Sequence, residues 1–264
     1  MIDKIAKTVR AFGLIAKNPY LLNLILANEE RMKQYVVKQH NMPSALPVLA
    51  LDTLFEDFQV AVNPYAYLSG ATMPIDIALL KALAQKYNVQ KYFEIGTWRG
   101  ESVANVAQVV PDCTTFNLPP EDTNLKEYAD LYGFFSKQAP NIKHIYGNSL
   151  NFDFSPYKSS FDMVFIDGDH HYKFVQQDTQ TAFSLLKDEK SIIVWHDYAI
   201  DIESVRWDVL AGILDGCPKE KRNNIYHISN TLCAVYLPES FPTTVLSPYS
   251  FPTKYFDISI RLKK

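Results

Sequence analysis

The chain has 264 residues, 26 basic and 29 acidic, for a formal net charge of -3; this suits one large domain with an appendage and excludes a phosphate-backbone binder, which needs a clustered basic excess. Hydrophobic residues make up 47%, enough to bury a core and too many for a disordered regulator. Three cysteines (Cys113, Cys217 and Cys233) with no CxxC pair argue against a disulfide framework or structural zinc site, and no apolar run is long enough for a membrane span, so the reading is a soluble, cytoplasmic protein.

Residues 1–71 are expected to form a helical cap. Residues 2–14 and 20–37 show loosely helical apolar spacing, and 41–47 and 63–70 read as loops. Such a cap either packs on a main domain or acts as a lid or dimerisation arm. From Thr72 a regular alternation begins. Thr72 and Pro74 start a helix with Ile75, Leu79 and Leu83 on one face. Residues 91–95 form a strand ending in Gly96, 102–110 a helix closed by Pro111, 113–118 a strand, 125–137 a helix and 143–146 a strand. The continuous apolar run 161–166 fits a strand covered on both faces. Residues 171–186 are helical, 191–195 a buried strand and 202–214 the next helix. This order predicts an α/β fold, a doubly wound, mostly parallel seven-stranded sheet over residues 72–237. Residues 225–228 and 232–237, joined by Ser229-Asn230-Thr231, form a closing hairpin whose last strand runs antiparallel. The tail, 238–264, adds an edge strand, pairs with a second subunit in a homodimer, or lies extended; the sequence leaves these open.

Ligands of such sheets bind beyond the carboxyl ends of the strands, where strand order reverses, and four strand ends here carry chemistry. At the first, Gly96 and Gly100 bracket a tight turn above Glu94, which can take the ammonium of an amino-acid moiety or orient the loop, and without Cβ atoms the glycines let a ligand approach the backbone. At the second stands Asn117 with Leu118, followed beyond two prolines by Glu121 and Asp122. At the third stand Asn148 and Ser149. At the fourth, Asp167 ends one buried strand and His196 and Asp197 end another. Adjacent strands lie roughly 5 Å apart, so these side chains can converge on one cation. Asp169 reads as the N-cap of the following helix.

The stretch from Glu94 through Gly96, Thr97 and Gly100 to Ser102 resembles the first motif of S-adenosylmethionine-dependent methyltransferases. Residues 161–172 together with 193–198 resemble the signature of the methyltransferase-24-type branch and, more distantly, that of catechol-type and macrolide-sugar O-methyltransferases. The resemblance spans about residues 72–237 and implies a class I, Rossmann-like methyltransferase fold with S-adenosylmethionine as cofactor. It assigns cofactor contacts to Glu94, Gly96, Thr97, Gly100, Ser102, Asn117, Leu118, Asn148, Ser149 and Asp167. Asn117 stands where the family usually has an acid for the ribose hydroxyls, so one charge-assisted contact is lost. Asp167, His196 and Asp197 fall at metal-ligand positions for magnesium or manganese, with His196 replacing a usual carboxylate; in metal-independent relatives the residue at the Asp167 position holds the cofactor's amino-acid end. His170 falls at the general-base position, where a histidine with an ordinary pKa of about 6.5 takes an acceptor's proton at neutral pH. The implied activity is O-methylation of a small-molecule hydroxyl, with nucleic acid and membrane as unlikely partners. A non-methylating, hydroxylase-like enzyme or a non-catalytic binding protein on the same fold are the alternatives.

Overall fold

The computed structural model describes residues 2–22, 29–42, 44–119, 130–249 and 251–263. Helix α1 (Ile2–Lys17) leaves Ile5, Val9, Phe12 and Leu14 exposed. Part of the helix expected over 20–37 falls at residues 23–28, outside the described residues; α2 (Glu29–His40) covers its end, with acidic residues in its first turn and Lys38 and His40 in its last, the order that the helix dipole favours. Next come β1 (Val48–Leu49) and the single-turn α3 (Leu51–Leu54). Helix α4 (Pro74–Lys86) begins with proline in its first turn and is buried from Asp76 to Ala84.

The alternating part follows as β2 (Lys91–Ile95), α5 (Glu101–Val106), β3 (Asp112–Asn117), β4 (Ile142–Tyr146), β5 (Met163–Ile166), α6 (Tyr172–Leu185) and β6 (Ile192–Trp195). A small hairpin, β7 (Ala199–Asp201) with β8 (Ser204–Val205), leads into α7 (Trp207–Gly216), and β9 (Ile225–Ile228) and β10 (Ala234–Tyr236) close the sheet.

The sheet has eight strands in the order β1-β9-β10-β6-β5-β2-β3-β4. Strands β4, β3, β2, β5 and β6 are parallel neighbours, and β10 runs antiparallel to both β6 and β9. Seven of these strands are the expected set with its reversed hairpin. The eighth, β1, pairs parallel with β9 and comes from the segment expected to be a helical cap. Two residues give no periodic signal, so this strand exists only because β9 offers it a free edge. The tail pairs with β1 through Thr244 alone, and residues 251–263 have no secondary structure.

Side chains alternate across the sheet as the strand pleat requires. Phe93, Ile95, Val164, Ile166, Ile193 and Trp195 face the layer formed by α6 and α7. Tyr92, Met163, Phe165, Ile192 and Val194 face the layer of α3, α4 and α5. Trp195 locks one layer down by donating from Nε1 to Thr179 Oγ1 on α6 at 2.9 Å.

Two expected helices differ. Residues 202–214 begin as the β7–β8 hairpin, because Asp201 Oδ1 accepts the Glu203 N–H at 2.9 Å and turns the chain before Trp207. Of the helix expected over 125–137, residues 125–129 lie outside the described residues, and 130–138 form a short 3₁₀ start followed by turns.

Candidate active site at the strand tips

Register places the strand ends side by side: Ile95 pairs with Ile166 and Ile166 with Trp195, so the next residues, Gly96, Asp167 and His196, stand in a row. The ladder continues to these tips, with Gly96 N–H donating to Phe116 O, Asp167 N–H to Ile95 O and His196 N–H to Ile166 O at 2.8–2.9 Å. Strand order reverses between β2 and β5, and there a cavity of about 190 Å³ opens. Its walls include Gly70, Thr72, Thr97, Glu101, Ser102, Asp167 and Asp197. An adjoining narrow crevice is bounded by Asp167, Asp169, His170, His196 and Asp197.

Residues 61–72, of which Gly70 and Thr72 line the cavity, are tied down by buried polar side chains. Lys81 Nζ donates to Ala61 O at 2.6 Å. Asn105, fully buried, accepts the Asn63 N–H at 2.7 Å and donates to Pro64 O at 2.9 Å. Arg99 spans Leu68 O and Ser69 O at 3.0–3.2 Å. This strap brings Gly70 and Thr72 over the site.

Asp167 accepts the Thr72 hydroxyl on Oδ2 at 2.9 Å. Its Oδ1 lies 3.0 Å from His196 Nδ1, and Asp197 Oδ2 lies 3.5 Å from the same nitrogen. The Nδ1–H direction satisfies neither oxygen as a hydrogen bond, so these contacts are ionic. On the far side of the ring, His196 Nε2 is 3.1 Å from Oδ2 of the fully buried Asp76. Burial alone would lower the His196 pKa, but the Asp167, Asp197 and Asp76 carboxylates outweigh it and hold the ion-free ring well above its ordinary value. Asp197 adopts a left-handed φ of 54°, uncommon for a residue with a Cβ. Arg206 holds it through Nε to its carbonyl at 3.2 Å and Nη2 to Oδ1 at 3.8 Å.

Among the residues expected to contact a cofactor, Gly96, Thr97, Ser102 and Asp167 line the cavity. Glu94 does not. It is fully buried beneath the loop, accepting the Tyr92 hydroxyl at 2.6 Å, and burial pushes its pKa up to about 8; this placement suits the loop-orienting role. The two glycines serve the fold: a Cβ on Gly96 would run into the Asp167 carbonyl, and one on Gly100 into Ser136.

Asn117, at the tip of β3, has a buried Nδ2 without a partner. Leu118 is 40% exposed, and Glu121 and Asp122 lie outside the described residues. Asn148 is exposed and uses Oδ1 to accept the Leu150 N–H at 3.0 Å. Ser149 hydrogen-bonds Asp178, a buried α6 carboxyl that burial raises to about 7. His170 is exposed at the crevice mouth, stacked on His171 with ring centroids 5.6 Å apart. Asp169 accepts the His171 N–H at 2.7 Å, but α6 begins at Tyr172, so Asp169 caps the preceding turn and His171 is the N-cap residue.

Sequence reasoning missed Asp76, Asp178, Glu101 and Arg206. The only available signal for Asp76 was a carboxylate inside an apolar run, which also marks an ordinary acidic first turn.

Residues 93–198, the segment holding all four strand tips, match the family model of a methyltransferase domain. No curated protein matches the chain. Among solved structures, the chain is similar to cofactor-bound Rv0187 from MTB, at 19% identity over 64% of this chain and 82% of that one, TM-score 0.47. The O-methyltransferase TomG from Streptomyces achromogenes, in complex with SAM, is 15% identical over 82% and 94%, TM-score 0.45. The Bacillus cereus O-methyltransferase in complex with SAH is 13% identical over 78% and 97%, TM-score 0.45.

Proposed function

We propose that the chain transfers a methyl group from S-adenosylmethionine to a hydroxyl of a small molecule, with a divalent cation assisting at Asp167, His196 and Asp197. The observation that carries this reading is the cavity at the β2–β5 reversal, walled by hydroxyls of Thr72, Thr97 and Ser102 and carboxylates of Glu101, Asp167 and Asp197. A concave site lined by one sign of charge concentrates the opposite sign, and the donor carries a sulfonium and an ammonium. The buried, unpartnered Asn117 Nδ2 fits donation to a ribose oxygen. The three free cysteines are all buried, in keeping with a reducing, cytoplasmic setting.

S-adenosylmethionine, when bound, would supply an electrophilic methyl carbon for the acceptor oxygen and leave as the thioether S-adenosylhomocysteine. A divalent cation lowers the proton affinity of a hydroxyl beside it. The chain does the rest. Thr72 fixes Asp167, Arg206 fixes Asp197, and His170 at the crevice mouth takes the acceptor's proton on a ring nitrogen. The strap 61–72 keeps water from the cavity and holds donor and acceptor in one orientation.

Purified protein should bind S-adenosylhomocysteine in calorimetry and release it from S-adenosylmethionine only when a phenolic or sugar hydroxyl acceptor is present. His170→Ala should lower kcat by about 100-fold or more, the usual reach of general-base catalysis, with S-adenosylhomocysteine affinity unchanged. Absence of binding sinks the cofactor assignment; undiminished turnover removes His170 as the base; an oxidised product without S-adenosylhomocysteine supports hydroxylase-like chemistry instead.

A further inference from the structure

We infer that Asp76, outside the matched segment, is the positioning residue that presents His196 Nδ1 to a divalent transition ion. The inference rests on the metal-assisted reading above and names the device that lets a histidine serve where a carboxylate is usual. His196 has a side chain only 8% exposed, and its Nδ1 faces Asp167 and Asp197 with no hydrogen-bond partner. Donor atoms about 2.1 Å from a shared ion stand roughly 3.0–3.4 Å apart; the separations from Nδ1 are 3.0 and 3.5 Å. The three ligand atoms lie within 4.8 Å of one another.

What selects Nδ1 lies behind the ring. Asp76 is fully buried, and both its oxygens are engaged: Oδ1 accepts the Leu232 N–H at 3.0 Å and Oδ2 faces His196 Nε2 at 3.1 Å. A carboxylate is an acceptor only, so Nε2 must carry a proton, and in the neutral ring the lone pair then falls on Nδ1. This carboxylate–histidine pairing orients metal-bound imidazoles and raises their basicity. Helix α4 carries Asp76, and Thr72 just before it holds Asp167, so one segment braces two of the three ligands.

A nitrogen donor beside two carboxylates favours manganese over magnesium.

Titration of manganese, followed by loss of the free-ion electron paramagnetic resonance signal, tests this on the full chain. Wild type should take up one ion, at least tenfold more tightly than magnesium. In Asp76→Asn the amide N–H₂ can face Nε2 and force the other tautomer, so affinity should fall about 10–100-fold, the usual loss for a removed outer partner; S-adenosylhomocysteine affinity should stay within twofold. Asp76→Glu should recover part of the loss. A nitrogen-15 spectrum of the zinc-loaded wild type supplies a readout that needs no variant: Nε2 should carry the proton. A wild type that binds no metal overturns the metal reading itself. Metal bound equally by Asp76→Asn, or a proton found on Nδ1, overturns the role of Asp76 and leaves the metal reading standing.

Discussion

Asp178 shows how a buried acid is tuned and what that costs. It is 1% exposed, its Oδ1 has no partner, and burial raises its pKa from 3.8 to about 7. An acid whose folded pKa lies above its unfolded value keeps its proton in the native state after the unfolded chain has lost it. Stability therefore falls as pH rises from about 4 to 7 and is level above that. Asp178→Asn, which keeps a group for Ser149, should melt several degrees above wild type at pH 8, a gain of roughly 4 kcal/mol at most, with the gap closing as pH approaches 4. Thermal melts across that range check it, and a gap that does not depend on pH would refute it. Neither Asp178 nor Asp76 was legible in the sequence, because an acid on a helix looks the same facing water or facing the core. Asp167, His196 and Asp197 were legible, since each follows an uninterrupted apolar strand and so had to emerge at a tip.

At the level of elements, α2 and α7 are joined by specific polar contacts as well as apolar ones. Glu29 Oε2 accepts the Trp207 N–H at 2.6 Å, capping α7 from another helix, and Lys33 lies 5.7 Å from the Trp207 ring centroid. Tyr35 and Tyr172 both donate to Asp215 Oδ2 at 2.6–2.7 Å. The start of α7 follows Arg206, which braces Asp197, so this capping reaches the active site. Glu29→Ala should cost about 1 kcal/mol, the usual value of an N-cap, seen as a lower urea midpoint, with Glu29→Gln recovering part of it; an unchanged midpoint would show the cap to be idle. The alternation of strands and helices was readable from apolar period alone. The β7–β8 hairpin was not, because Ile202, Val205 and Val209 also suit a helix face and only the Asp201 turn decides between them.

For the whole molecule, the N-terminal region splits into parts of different standing. Strand β1 and helix α3 belong to the core on one face of the sheet, with Leu49, Leu51 and Leu54 buried, whereas no described side chain of α1 is buried. Removing residues 2–17 should therefore shift the melting temperature by no more than about 2 °C, under the 1 kcal/mol that such a shift represents; a larger drop would show that α1 packs on the body in solution. No helix among the described residues is long and apolar enough to cross a membrane. The contact between Gly96 and the Asp167 carbonyl has a consequence at this scale. Tips pinned to each other meet an incoming molecule already shaped, so little freedom is surrendered there on association.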